Sequence, residues 1–422
     1  MDQGNTAFIL IGAALVLLMT PGLAFFYGGL VKAKSVISMM MMSFGAMGLI
    51  GVLWVLYGYA IAFPATDVGV TNAPWTIDWN ELGLASLLEA PEGAAYPPLA
   101  FVAFQATFAI ITVALVSGAI ADRAKFGSWM IFAFLWSTIV YFPVASWVFN
   151  FGLADGAFSY GGWITHGLQD VFGVGAIDFA GGTAVHINAG AAALALALVL
   201  GKRVGFQKGA HVPHNPPFVL LGAGLLWFGW FGFNAGSELA ADNTASLAFV
   251  NTLAAPAAAL LSWLIVEKIR DGKPTSVGAA SGAVAGLVAI TPACGSLTPL
   301  WAIVLGLLAG VVCALAVDLK FKLGFDDSLD VVGVHLVGGL LGTLYLGFFA
   351  NTTGLIYSGQ FTQLLVQAIA AFTVLIYSFV LAFIIGFAIE KTIGFRVKNE
   401  DEIAGIDTVV HGEEGYVLTD AR

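Results

Sequence analysis

The sequence predicts an all-α membrane protein: eleven transmembrane helices, arranged as a 5+5 inverted repeat plus one C-terminal helix. Three observations predict it. Of 422 residues, 59% are hydrophobic and only 10% charged, where an ordinary soluble domain carries about 25% charge. Apolar runs of about 18 residues or more, the length that crosses a bilayer, recur from end to end. They are continuous rather than alternating, which argues against a barrel. Finally, all sixteen Lys and Arg fall in alternate connections between these runs.

The elements follow in order. The first run, 6–31, has no basic stretch before it and no evident cleavage site, so it reads as a retained helix rather than a signal peptide. Lys32 and Lys34 link it to 36–63. The loop 64–97 holds no basic residue and leads to 98–121, then a link with Arg123 and Lys125, then 128–149. The loop 150–178 is again free of Lys and Arg and leads to 179–201. Lys202, Arg203 and Lys208 precede 217–239, and the short 240–244 precedes 245–267. Lys268, Arg270 and Lys273 precede 276–293, which is followed by 294–298 and 299–320. Lys320 and Lys322 precede 330–350, and 351–362 precedes the last run, 363–391. Lys391, Arg396, Lys398 and Arg422 complete the sixteen.

The positive-inside rule then places the N-terminus outside and the tail in the cytoplasm of a cell (plasma or inner) membrane. An even number of spans would put basic residues on both sides. The expected organisation is a membrane domain over 1–392 and a cytoplasmic tail over 393–422.

Eleven divides as five, five and one. The first five-helix block starts outside and the second inside, so the blocks are related by an axis in the membrane plane. His186 falls in the fifth helix of the first block and His335 in the fifth helix of the second. Ionisable side chains inside a membrane are expensive and point to function. The alternative, two separate and satisfied core histidines, fits a lone histidine better than a symmetric pair. A neutral imidazole offers one donor and one acceptor, so two rings can share a hydrogen bond or relay a proton. Asp178 and Asp330, at the starts of helices five and ten, read as N-caps. His166, His211, His214 and His411 read as ordinary solvated histidines, and the His211/His214 spacing is too weak for a metal site. Cys294 and Cys313 read as small buried hydrophobes. No cofactor is expected, and no basic patch suggests nucleic acid. Haem held between the two histidines is a remote rival, with no other ligand type to support it.

Two aromatic segments, 101–109 and 225–237, lie near outer helix ends. Interfacial belts explain Trp75, Trp79 and Trp163. They explain these segments less well. Phe104 and Phe108 share a helical face, as do Trp230, Phe233 and Ser237. Aromatic faces attract small cations, so these groups read as a cation-recruiting mouth above stacked phenyl rings.

The segments FFYGGLVKAKS, FQATFA, DFAGGTAVHINAG, GWFGFNAGS and DDSLDVVGVHLVGG resemble the Amt/Mep/Rh ammonium transporter family, over about residues 6–416. The resemblance implies a homotrimer in the lipid bilayer with one pore per subunit, conducting ammonium or ammonia, with methylammonium as an analogue. It implies Phe108 and Phe233 as a stacked gate. Trp230, Phe104 and Ser237 would form the outer recruitment site, supported by Asp178, and His186 and His335 the pore pair. Tyr27 and Val331 would lie near the pore. One departure stands out: Ser146 and Phe149 occupy positions where many relatives have His and Trp. Phe149 keeps a π face but lacks the indole, which binds cations better. The tail segment EIAGIDTVVHGEEGY resembles the family's regulatory C-terminus, which couples subunits and docks PII-type signal proteins. Taken alone, it reads as a solvated acidic tail. The rival function is an ammonium sensor signalling through that tail. Only about 30 residues follow the last span, with no fused signalling domain among them.

Overall fold

The computed structural model describes residues 1–64, 75–151, 153–154, 157–158, 161–206 and 212–416. Ten helices are long and apolar enough to cross a membrane. They are α1 (Gln3–Leu30), α2 (Ala33–Ala62), α3 (Pro98–Ile120), α4 (Phe126–Phe149), α5 (Gly182–Leu200), α6 (Pro216–Glu238), α7 (Asn243–Arg270), α9 (Pro299–Leu323), α10 (Val332–Phe349) and α11 (Thr362–Thr392). Between α7 and α9 lies α8 (Ser276–Ile290), apolar but only 15 residues long. The expected span 276–293 is therefore shorter than drawn. The chain leaves the helix at Thr291 because Pro292 follows, and a residue before proline is disfavoured in the α region. Ten full-length spans plus this shorter helix stand where eleven were expected. The only strand pairing among the described residues joins Leu153–Ala154 to Ala157–Phe158, besides a single bridge between Ala124 and Arg396.

Small residues fix how the helices pack, because a glycine lets two backbones approach closely. On α1 and α6, Gly12 lies against Gly232 and Gly22 against Gly222, so these helices run antiparallel. On α5 and α10, Gly190 lies against Leu336 and Gly339 against Gly182, again antiparallel. Gly45 on α2 meets Phe126 on α4, and Gly58 meets Phe142, so that pair is parallel. Gly306 and Gly310 on α9 meet Ala255 and Ala259 on α7, also parallel. Helices n and n+5 thus keep matching relations, as an inverted repeat requires.

The basic connections gather on one face, and the tail lies across them. Lys125 N–H donates to Phe395 O (2.9 Å) and Val397 N–H to Arg123 O (2.9 Å). Val204 N–H donates to Glu402 Oε1 (2.6 Å), and Arg396 pairs with Glu402 (2.8 Å). The Asp407 carboxylate accepts from Ile37 N–H (3.0 Å) and Ser38 N–H (2.7 Å) at the start of α2. Reading this segment as a solvated acidic tail therefore fails for residues 393–416. Its carboxylates cap backbone donors that composition does not reveal. Beneath it, Arg203 is buried against Asp326 (2.9 Å) and Asp122 (3.0 Å). Burial opposes the Arg203 charge, but the Asp326 and Asp122 carboxylates outweigh it and hold the guanidinium above its ordinary value. Arg123 has no carboxylate bonded to its guanidinium, which instead donates to Asp326 O (2.6 Å), Ala121 O (3.3 Å) and Ser328 Oγ, and burial pulls it down to about 10.

Candidate functional site

The two histidine-bearing helices start from aspartates. Ahead of α5, Asp178 Oδ1 accepts from the N–H groups of Gly181 (3.0 Å) and Gly182 (2.5 Å). Its Oδ2 accepts from Thr183 (2.9 Å) and Ala184 (3.0 Å). Gly181 makes this possible with φ +114, a conformation that side chains resist. The helix then opens on a π turn, Gly182–Ile187, which carries His186. Such turns recur at functional sites because they re-aim one side chain within a helix. Helix α10 begins the same way. Asp327 Oδ2 accepts from Val332 N–H (2.7 Å), and the π turn Val332–Leu336 carries His335. Each histidine therefore lies eight residues after its aspartate. The N-cap role expected of Asp330 belongs to Asp327. Asp330 sits at φ +64, and its carboxylate pairs with Lys320 instead.

The two π turns bring the imidazoles together. His335 Nδ1 lies 3.2 Å from His186 Nδ1, and the rings are buried with centroids 5.2 Å apart. A bond between two Nδ1 atoms needs opposite tautomers: one Nδ1 donates and the other accepts. Of the two outward Nε2 atoms, one is then an acceptor and the other a donor. His186 Nε2 has no partner in the protein.

Around the pair is a narrow apolar cavity walled by Met19, Leu23, Phe26, Ile111, Leu115, Val185, Leu226, Trp230, Phe233 and Val284. The Trp230 indole lies 5.5 Å from the His186 ring at 23°, nearly parallel. Its one polar group is turned away, donating from Nε1 to Thr291 Oγ1 (2.8 Å). At one end the cavity is closed by Phe108 and Phe233, stacked 4.2 Å apart at 25° and both buried. Phe104 lies 4.9 Å from Phe108, and Phe149 meets Phe108 edge-on at 6.2 Å. One turn past Phe233, the half-buried Ser237 hydroxyl donates to Phe233 O (2.8 Å), so its lone pairs stay free to accept.

An apolar passage with two hydrogen-bonded imidazoles behind stacked phenyl rings, inside an inverted repeat, is what the comparisons also find. A model of the Ammonium Transporter Family matches residues 7–416. The chain belongs to the ammonium transporter family. An ammonium transporter of Mycobacterium bovis is 55% identical, over 98% of this chain and 90% of its own length. Saccharomyces cerevisiae Mep2 superposes with a TM-score of 0.83 at 32% identity, covering 100% of this chain and 93% of that one. A solved structure described as a sensor Amt protein superposes with a TM-score of 0.85 at 29% identity, covering 96% of this chain and 98% of its own.

Against this family background, most expected site residues fall in one column. Phe104, Phe108, Phe149 and Phe233 form one aromatic cluster, with Ser237 next to it on α6. Trp230 is the exception. It was expected at the mouth, but it stands on the histidine side of the phenyl pair, because α6 carries it one turn before Phe233. Trp147, near Phe149, packs on Trp163 (5.7 Å) and Tyr377 (4.6 Å). Tyr27 is buried and donates to Leu115 O (3.0 Å), and Val331 is buried at the entry to α10. His214, expected to be solvated, is held between Val31 O (2.8 Å) and Tyr416 (2.9 Å). His211 lies outside the described residues. His411 packs on Phe126 (5.4 Å), and His166 is half-buried with its ring pulled down by burial. Cys294 and Cys313 are buried thiols, as expected. No group of three or more potential metal ligands occurs among the described residues. Asp327 and Thr291 were missed. The first was signalled by the repeated aspartate-to-histidine spacing, the second by nothing in the sequence.

Proposed function

We propose that this protein, a transport protein rather than an enzyme, carries ammonium across the cell membrane as ammonia, with the proton relayed separately. In this reading the N-terminus is outside and residues 393–422 form a cytoplasmic regulatory tail. The working unit is a homotrimer in the bilayer, with a PII-type signal protein as partner at the cytoplasmic face. Ammonium is recruited by the aromatic faces of Phe104 and Phe149 and by the free lone pairs of Ser237. Asp178 supports this region by anchoring the α5 turn. A bare cation in an apolar cavity carries an idealised desolvation penalty of tens of kcal/mol, and losing a proton removes it. Neutral ammonia then passes the Phe108/Phe233 pair and reaches His186 and His335, which supply one donor and one acceptor. Trp230 contributes a flat wall there, and Tyr27 and Val331 flank the far end.

The observation that carries this reading is the Nδ1–Nδ1 bond between two buried imidazoles in a cavity otherwise lined by hydrocarbon and aromatic faces. The test is current recording from proteoliposomes with ammonium, methylammonium, potassium and a small quaternary ammonium ion. Ammonium and methylammonium should drive transport, and the other two should not. Potassium or quaternary-amine currents equal to those of ammonium would refute deprotonation. An absence of flux for any amine would instead favour the sensor reading.

A further inference from the structure

We propose that Thr291 is a positioning residue for transport. It holds the Trp230 indole so that its N–H stays out of the passage and the His186 Nε2 stays open to the solute. The inference deepens the reading of His186 and Trp230 as pore-lining and rests on it.

Thr291 lies just past the end of α8 and is fully buried. Its hydroxyl donates to Leu287 O (2.7 Å), so its proton is committed and its oxygen can only accept along the other direction. The Trp230 N–H fills that direction at 2.8 Å. A buried indole N–H needs a partner. The cavity wall beside Trp230 has one acceptor without a partner in the protein, His186 Nε2, on the ring stacked 5.5 Å from the indole. If Thr291 stopped accepting, the N–H would be stranded beside that nitrogen. It would either bond to it, occupying the site where ammonia must dock, or leave the stacked geometry. The threonine therefore protects the free valence of the histidine pair from its own neighbour. This also accounts for α8 ending where it does: the helix terminus brings the Thr291 hydroxyl to the back of the indole.

The test uses full-length protein in proteoliposomes and the variants Thr291→Val, Thr291→Ser, Trp230→Phe and Trp230→Phe/Thr291→Val. Valine keeps the shape and removes the acceptor, whereas serine keeps the hydroxyl. Thr291→Val should lower the maximal ammonium current by roughly fivefold to tenfold, the factor expected from stranding one buried donor. Half-saturation, set at the mouth, should not change. Thr291→Ser should conduct like the parent. Trp230→Phe/Thr291→Val should recover current relative to Thr291→Val, because phenylalanine has no N–H to strand. Parent-like current in Thr291→Val would overturn the proposal. So would equal losses in the serine and valine variants, or no recovery in the double variant. Thermal unfolding of the same four proteins checks the bond itself: coupling in stability without coupling in current would make Thr291 merely structural and also overturn the proposal. Parent-like transport by Trp230→Ala would sink the pore-wall reading of Trp230. Failure of the valine and serine contrast alone would leave that reading standing.

Discussion

The aspartates ahead of the two histidines hold identical sequence offsets but do different amounts of structural work, and this difference is measurable. Asp178 accepts four backbone N–H bonds through both oxygens. Asp327 accepts one, from Val332, and its Oδ1 is buried without a partner. Replacing a carboxylate by an amide leaves one accepting oxygen and turns an NH2 group toward the other donors. Asp178→Asn thus loses two of its four bonds. Hydrogen bonds to a charged group contribute about 1.5–3 kcal/mol each. No longer burying a charge offsets part of that, which leaves a loss of about 2–4 kcal/mol. Asp327→Asn can keep its single bond by presenting its oxygen to Val332, and loses about 1 kcal/mol or less. Thermal unfolding of the purified protein in detergent should therefore fall clearly further for the first variant. Ammonium current should follow the same order, because the Asp178 bonds hold the turn that aims His186. If Asp327→Asn proved equally or more damaging, backbone anchoring would not be what these carboxylates supply.

Three further outcomes are expected. His186→Ala/His335→Ala should insert and unfold like the parent, because the pair makes one neutral bond worth about 1 kcal/mol, but ammonium currents in proteoliposomes should change or stop. Phe233→Ala should admit potassium while leaving membrane insertion intact, as read by the ratio of potassium to ammonium current. The third concerns Asp326: burial alone would raise its carboxyl, but bonds from Arg203 hold it below its ordinary value. Its contribution to stability is therefore complete above about pH 3.9 and is lost as pH falls through the lowered value. An unfolding series against pH should show that acid loss in the parent and a flatter profile in Asp326→Asn, where Arg203 keeps only Asp122.

The span order, the segregation of basic links and the pairing of His186 with His335 were legible in the sequence because they depend on bulk properties: hydrophobic run length, charge sidedness and repeat position. Depth along one helix was harder to read. Trp230, Phe233 and Ser237 share a face, which spacing reveals, but a helix rises about 1.5 Å per residue. Trp230 therefore lies about 4–5 Å from Phe233 and about 10 Å from Ser237 along the axis, enough to put it on the other side of the phenyl pair. The α8 boundary was drawn too far because apolar content continues through Ala293, while Pro292 had already ended the helix. The docked tail was invisible to composition. Glu402 and Asp407 look like solvating charge until the chain brings Val204 and the start of α2 to them.

What the cavity excludes follows from how its polar groups are used. The Trp230 N–H is engaged by Thr291, the Tyr27 hydroxyl by Leu115 O, the Thr112 hydroxyl by Phe108 O and the Ser237 hydroxyl by Phe233 O. Beyond the phenyl pair, this leaves the two imidazoles as the groups with hydrogen-bonding capacity facing the passage. A dehydrated potassium ion needs several oxygen ligands to replace its water. The walls here are hydrocarbon, ring faces and two nitrogens, one of which must carry a proton. Ammonia needs only one donor and one acceptor at a time, and the opposite tautomers of the joined histidines provide that set. Selectivity then rests less on the width of the passage than on the near-complete internal use of every other polar atom along it. A substitution that frees any of those atoms should therefore weaken discrimination even where the bore is unchanged.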